Sequence, residues 1–473
     1  MQAREADRRS AVAASELGKL IGAHRVSTHP TDLSRHATDR SPAALLGQRA
    51  GLEYPLPLCV VRPRTTSQVE DVLAWANRTR TPVVPYGGGS GVLGAIAPVG
   101  TVVVEMRAMS EVIDLDEKSR LVRVQAGVLG SDLEEALRAS GLTLGHEPQS
   151  IDISTVGGWV ATGACGQLSV RYGGIEALVA GLEAVLPDGR VVRSKAAPRR
   201  ATGPDLPSLM IGSEGTLGIV TEATLRVSPV VGARVDRCIR FGQMGEGVAA
   251  CRAIVQADLK PTLVRLYDRD DAAIFLRNMA DEEPDPMALV SFDGPLAEER
   301  AARALELSMG SEGNHDLVSH WWTHRNDAVD EFMKLMAGEG VLGPHAMVDT
   351  MEVAGTWTTL RDLYHSMKDA LEPLADIVGC HVSHVYPDGA CLYFTMASAC
   401  SDDDSALATL ESWWEAGMET CLRVGGSISH HHGIGRVKAR WLREELGEWW
   451  NVLAAVKAAI DPNGIMNPGA LGL

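Results

Sequence analysis

From about residue 58 to residue 230, short β-branched and aliphatic runs alternate with stretches of helical periodicity. Runs at 82–85, 101–105 and 121–125 read as strands. Helix starts are marked at Ser67, with Glu70 three residues on, ahead of DVLAWANR, and at Ser131, with Glu134 three residues on, ahead of ALRAS. In such a pair the hydroxyl and the carboxylate satisfy the first free N–H groups of a helix. Asp188-Gly189, between EAVLP and RVVRS, reads as a hairpin turn, since that dipeptide tolerates positive φ. Pro229 closes this region. Residues 231–425 carry longer helical patterns and acidic loops such as DEEPDP and SDDDS, and read as a second domain capping the first. From 426 to 473 glycine-rich loops return, with one long amphipathic helix expected over 437–460. Residues 1–54 read as a helical lead-in.

Composition narrows the class. The 473 residues exceed a single compact core, and 45% hydrophobic content is that of a globular chain. No apolar run approaches the ~20 residues of a membrane helix. The first 20 residues carry charges where a secretion signal needs an apolar centre. The formal charge of −17 repels phosphate backbones, so nucleic acid is not an expected partner. Eight cysteines form no CxxC pair and read as reduced thiols of a cytoplasmic protein.

After the strand at 82–85 comes Tyr86-Gly87-Gly88-Gly89-Ser90-Gly91. Successive glycines bring backbone N–H groups close to an anion. Residues 89–94 match GxGxxG, but a doubly wound dinucleotide fold needs a helix to start there. Pro98 and Gly100 forbid one. Alone, this loop fits a phosphate cradle or a structural turn equally well. Three further segments tip the balance. Gln149-Ser150-Ile151 runs through Ser154-Thr155 to Gly158; Thr162-Gly163-Ala164-Cys165 follows; and Glu214-Gly215-Thr216 leads to Gly218-Ile219-Val220. Each puts small residues and hydroxyls at bends, suited to lining a flat, hydrogen-bonding ring system.

In this order and spacing the four segments resemble the FAD-binding domain of the vanillyl-alcohol oxidase / p-cresol methylhydroxylase superfamily, from about residue 58 to the C-terminus. The resemblance implies an α+β fold. It comprises a PCMH-type flavin domain of two subdomains over 55–230, an α+β cap with an antiparallel sheet over 231–425, and a C-terminal segment returning to the flavin domain. It also implies that FAD is cradled by Pro85, Tyr86, Gly87, Gly88, Gly89, Ser90 and Gly91 together with Gln149, Ser150, Ile151, Ser154, Thr155 and Gly158. Thr162, Gly163, Ala164, Cys165, Glu214, Gly215, Thr216, Gly218, Ile219 and Val220 would complete the site. Some members attach the flavin through a histidine of the glycine loop; here that loop has Ser90, so non-covalent FAD is expected.

Within that superfamily two chemistries compete. D-2-hydroxyacid dehydrogenases often use a divalent metal, held by a histidine of GDGNxH and a glutamate before the histidine of EHGIG. The matching segments here are HVYPDGACLYF, from His384, and SHHHGIG, from Ser429. The downstream histidine is missing and His431 replaces the glutamate, so no metal is expected. YxxGACxYF and SHHHGxG instead resemble the alkyl-dihydroxyacetonephosphate synthase family, as do GHEP at 145–148 and PTLVRLYD at 261–268. By that resemblance Tyr386 exchanges a proton with the substrate, His430, His431 and His432 form an essential run, and Arg265 is an active-site arginine. A phenol acts as a base only with a cation or the flavin nearby. In an extended loop side chains alternate, which points to His431 or His432 at the chemistry and another in support. A histidine run can also hold a metal, and Arg265 can simply pair with Asp268.

Departures from the synthase pattern are Gly163 and His381 in place of arginines, His384 in place of a glutamine, and no peroxisomal address. The expectation is thus an FAD-dependent enzyme, cytoplasmic and homodimeric, acting on a small molecule. It exchanges groups at flavin N5 as the synthases do, or passes hydride to the flavin. A non-catalytic flavin protein is the third reading.

Overall fold

The computed structural model describes residues 2–276 and 283–473. Three sheets organise the chain. The first has four strands in the order Val26–Ser27, Cys59–Val61, Val102–Glu105, Val83–Tyr86, the last three running parallel. Cys59–Val61 and Val102–Val104 are buried on both faces, which suits the continuous apolar runs of a covered parallel sheet. The crossover helix Thr66–Thr79 lays Val69, Val72, Leu73 and Ala76 on that sheet. The strand expected at 82–85 runs one residue later, over Val83–Tyr86, and the one expected at 101–105 starts one residue later, at Val102.

The second sheet is antiparallel: Val112–Asp116, Leu121–Gln125, Ile219–Arg226, Val179–Val185, Val191–Arg193. Leu121–Gln125 lies where its pattern placed it. The Asp188-Gly189 hairpin also forms, with Leu186 N–H donating to Arg190 C=O at 2.9 Å and Gly189 at φ +90°. No helix begins at residues 91–101.

The helix starts differ from expectation. Thr65, two residues before Ser67, is the cap of Thr66–Thr79: it is extended, and its hydroxyl accepts from Gln68 N–H. The helix Gly130–Arg138 starts from Leu129, with Ser131 already inside it. Glu134 turns away and accepts from Thr143 Oγ1, Leu144 N–H and Gly145 N–H, closing the loop after the helix rather than its start.

The third sheet has seven antiparallel strands: Ser311–Glu312, Arg234–Arg240, Met287–Asp293, Leu263–Tyr267, Ile377–Val385, Gly389–Ala399, Ala346–Thr356. Alternation divides its faces. Val264, Leu266, Val382 and Leu392 join the main core under the helices Met244–Gln256, Leu360–Leu371 and Asp403–Val424. Their neighbours Arg265, Tyr267, His381 and Tyr393 line a cavity on the other side.

The single helix expected over 437–460 is two, Ala439–Leu446 and Trp449–Ile460. Gly447, at φ +53° and ψ −129°, breaks it in a conformation that glycine adopts at little cost. The chain then returns to the first sheet. Val83 N–H donates to Ile465 C=O at 2.7 Å and Asn467 N–H to Val83 C=O at 2.8 Å. All eight cysteines are free, seven of them buried, and no described helix is long and apolar enough to cross a membrane.

Lys457 ties this return: its ammonium donates to Thr216 C=O, Met466 C=O and Asp461 Oδ2 at 2.7, 2.9 and 2.6 Å. Removing one partner leaves a buried carboxylate unpaired. Lys457→Met is expected to lower unfolding stability by about 3 kcal/mol, read as a lower urea midpoint at unchanged slope.

Candidate active site

One cavity of about 910 Å³ lies between the two flavin-domain sheets and the seven-stranded sheet. Its first wall is built from bends. Gly87 and Gly88 pack so tightly on the facing turn that a Cβ would sit 2.4 Å from Thr155 Oγ1 and 1.7 Å from Ile153 O. The N–H groups of Gly88, Gly89, Ser90 and Gly91 have no acceptor among the described residues. Four unpaired donors on one cavity edge suit a pyrophosphate. Arg40 lies at the same edge, its N–H on Gly91 C=O at 2.9 Å, with no described carboxylate in ion-pair range. Sequence patterns had not marked it, because it lies outside any glycine motif.

Of the residues expected to hold the cofactor, Pro85, Tyr86, Gly87, Gly88, Gly89, Ser90, Gly91, Gln149, Ser150, Ser154, Thr155, Gly158, Thr162, Ala164, Cys165, Glu214, Gly215, Gly218, Ile219 and Val220 line the cavity. Three do not. Ile151 packs toward the flavin-domain core. Gly163, at φ +66°, is the left-handed cap that ends the helix Val156–Thr162. Thr216 is buried, its hydroxyl on Ser213 C=O at 2.7 Å and its carbonyl on Lys457. Their place in the sequence made these three look like ring contacts; Ile151 instead packs on the core, and Gly163 and Thr216 serve the backbone.

The opposite wall carries most of the titratable side chains. Arg265 is 7% exposed, and the anticipated pair with Asp268 is not made. Asp268 is occupied by Tyr364 Oη at 3.0 Å and Lys368 at 3.6 Å. Arg265 Nη1 meets His381 Nε2 at 3.1 Å, and His381 Nδ1 meets Asp271 Oδ2 at 2.7 Å. A guanidinium only donates, so Nε2 accepts and the imidazole proton sits on Nδ1, donated to Asp271. Arg265 Nε has no partner, and no described carboxylate pairs with the guanidinium. Burial lowers its pKa, the mark of a cation short of counter-charge.

The loop bearing the three histidines is not extended, and the alternation expected of it does not apply. Its backbone curls around Glu352, which accepts N–H bonds from His430, His431 and His432 at 3.1, 3.3 and 2.7 Å. Ser429 Oγ at 3.1 Å and Lys438 Nζ at 3.0 Å complete the set. On the flavin side Glu214 accepts from the N–H groups of Ile434 at 2.6 Å and Gly435 at 2.9 Å. His431 and His432 therefore both line the cavity. His430 turns behind them, Nε2 to Tyr386 Oη at 2.9 Å and Nδ1 to His431 Nδ1 at 3.0 Å.

Burial keeps these imidazoles unprotonated. It lowers His432 to about 4 and holds His430, His431 and His384 below the usual histidine value. Tyr386 stands outside the cavity wall, its phenol pushed up by burial and by the neighbouring Cys165 thiol. Burial raises the Cys165 thiol as well. Residues not anticipated as site residues also line the wall: Asp271, Phe275, Trp321, His381, His384 and Tyr393. Tyr393 stacks on His381 at 4.9 Å and faces His431 at 6.0 Å. Its place in YxxGACxYF was the one available signal.

Comparisons agree with this architecture. Residues 57–195 match the family described as FAD binding domain, and 235–471 the C-terminal domain of FAD linked oxidases. The chain is 32% identical to the uncharacterized FAD-linked oxidoreductase YgcU of Escherichia coli (strain K12), over 96% of this chain and 97% of that one. It is 29% identical to alkyldihydroxyacetonephosphate synthase of Dictyostelium discoideum, over 92% of this chain and 76% of that one. A solved alkyldihydroxyacetonephosphate synthase superposes with a TM-score of 0.78 at 26% identity, covering 97% of this chain and 84% of that one. p-Cresol methylhydroxylase shares the fold at the same TM-score and 15% identity. By its matched domains, its relatives and its cavity, the chain belongs to the FAD-linked oxidases, and FAD is its cofactor.

Proposed function

We propose that this flavoenzyme oxidises a small hydroxy compound bearing a carboxylate or phosphate. One observation carries the reading: a buried arginine without a counter-carboxylate shares a cavity with unprotonated imidazoles. Arg265 grips the anion with its free Nε edge. His432 or His431, unprotonated because burial lowers its pKa, takes the hydroxyl proton. FAD, held by the glycine loop and the facing turns without a covalent bond, supplies the hydride acceptor. Tyr386 and His430 hold His431 in place through their hydrogen bonds.

The synthase-type exchange is the second reading. It is favoured by the Tyr386–His430 hydrogen bond and by the similarity to alkyldihydroxyacetonephosphate synthases. In it the tyrosine itself handles the substrate proton.

Anaerobic mixing with candidate hydroxy acids and hydroxy phosphates tests the proposal. Flavin absorbance that bleaches and returns with air supports oxidation; alcohol incorporation without bleaching overturns it. Tyr386→Phe separates the readings further, with under tenfold loss of flavin reduction for the first and abolition of turnover for the second, FAD content being equal. Arg265→Met is expected to raise KM about 10- to 100-fold, since a charged hydrogen bond contributes about 1.5–3 kcal/mol. The pH profile of kcat/KM follows from the same groups. The base works unprotonated and its pKa lies below the ordinary value, so activity holds as pH falls through 6.5 and is lost only near 4. An acid limb at 6.5 would remove His432 from the role.

A further inference from the structure

Four donors converge where Cys165 and His384 line the cavity and Tyr386 and His430 stand behind them, a set that the oxidation above does not need together. Cys165 Sγ lies 3.7 Å from His384 Nδ1 and 3.5 Å from Tyr386 Oη, and Tyr386 Oη lies 2.9 Å from His430 Nε2. The sulfur and the two imidazole nitrogens are all within 4.8 Å of one another, and the two histidine rings stack at 4.8 Å. A tetrahedral ion with bonds of about 2.3 Å to sulfur and about 2.0 Å to nitrogen needs donor edges of about 3.3–3.6 Å. The three edges of 3.7, 3.5 and 2.9 Å are within a few tenths of an ångström of that, and the stacked imidazoles, whose planes lie 23° apart, must turn toward a common point to close the set.

We propose that Cys165, His384, His430 and Tyr386 form a binding site for a borderline-soft divalent cation of the zinc class. Thiolate and imidazole donors favour Zn²⁺ or Co²⁺ over Mg²⁺ or Ca²⁺, which seek oxygen ligands. Charge permits it, because a bound thiolate and phenolate cancel the two positive charges in a buried place. The hydrogen bond from Ser169 Oγ to His384 Nδ1, at 2.6 Å, is the one that must yield. A second thiol cluster, Cys391 with His430 and His431, is less suited. Its two histidines are neighbours in the chain whose Nδ1 atoms already bond each other at 3.0 Å. His384 opens the segment that matches the hydroxyacid dehydrogenase metal motif, whereas Cys165, Tyr386 and His430 stand at neither its downstream histidine nor its glutamate.

Such an ion would do something specific here. Cys165 comes from the turn after the helix Val156–Thr162, whereas His384 and Tyr386 come from the strand Ile377–Val385 and the turn after it, and His430 from the loop after the helix Asp403–Val424. One ion would bind the flavin half to the cap half beside the reacting cavity and fix Tyr386 and His430 at once. The inference stands apart from which reaction the flavin performs.

Cobalt titration of tag-free, chelator-treated holoprotein tests it. The expected result is one equivalent of Co²⁺ bound, with intense tetrahedral ligand-field bands to the red of the flavin absorption. Cys165→Ala should weaken cobalt binding at least tenfold and strip the bands while FAD stays bound. Absence of bound cobalt in the parent protein overturns the proposal. So do bands unchanged in Cys165→Ala, or bands lost in Cys391→Ala and kept in Cys165→Ala. If Cys165→Ala also sheds FAD, His384→Gln decides: retained bands overturn the site, and lost bands with FAD retained support it.

Discussion

The active-site wall depends on one buried carboxylate. Glu352 and Lys438 are both fully buried, and such a pair alone does not repay the desolvation of its charges. What changes the balance is that Glu352 also accepts three consecutive backbone N–H groups and the Ser429 hydroxyl. Burial would raise its pKa; Lys438 and the N–H donors outweigh that and hold it below the ordinary value. Three donors on one oxygen pair force the backbone into a curl, and the curl decides where each imidazole goes. Glu214 does the same for the next turn from the flavin half, accepting from Ile434 and Gly435. The histidine loop is thus held between two carboxylates from opposite sides of the cavity.

That arrangement also explains why the histidines stay neutral. Glu352 is close enough to stabilise an imidazolium, and its charge does raise His432. Its lone pairs are spent on backbone and ammonium, however, and its approach to His432 Nδ1 is only 3.9 Å. Burial wins, and the wall presents acceptors instead of cations. The positive charge facing substrate falls to Arg265, which Asp271 reaches only through the neutral His381. An uncharged spacer orients the guanidinium without cancelling it.

Much of this was legible from residue order because local chemistry set it. The flavin cradle rests on small residues at bends, and the 121–125 strand and the Asp188-Gly189 hairpin on alternation and turn preference. Those depend on neighbours a few positions apart. The failures have the opposite character. Ser67 and Ser131 looked like caps, but Thr65 and Leu129 start the helices, since the preceding strand and loop fix where the chain enters. Glu134 serves a loop ten residues on rather than its own helix. The curl of residues 430–432 needs Glu352, some eighty positions away, so no local rule could reveal it. The break at Gly447 was visible as a residue but not as a conformation.

The departures from the synthase pattern then fall into place as a question of charge. Where that pattern has arginines, this chain has Gly163 and His381. Gly163 adopts the left-handed conformation of a helix cap, and a side chain there would be strained. His381, neutral between Asp271 and Arg265, adds no charge. Of the other arginines on the wall, Arg325 pairs with Glu147 at 2.6 Å, a carboxylate it shares with Arg138 at 3.2 Å, and Arg40 sits beside the glycine loop rather than the histidines. The reacting end is therefore left with a single uncompensated guanidinium. One guanidinium matches one negative charge, and a doubly charged phosphate would enter this dry pocket only half neutralised. A monoanionic carboxylate meets no such penalty. With Gly163 and His381 at those two positions, the charge of this wall agrees with the proposed acid substrate better than with a phosphate.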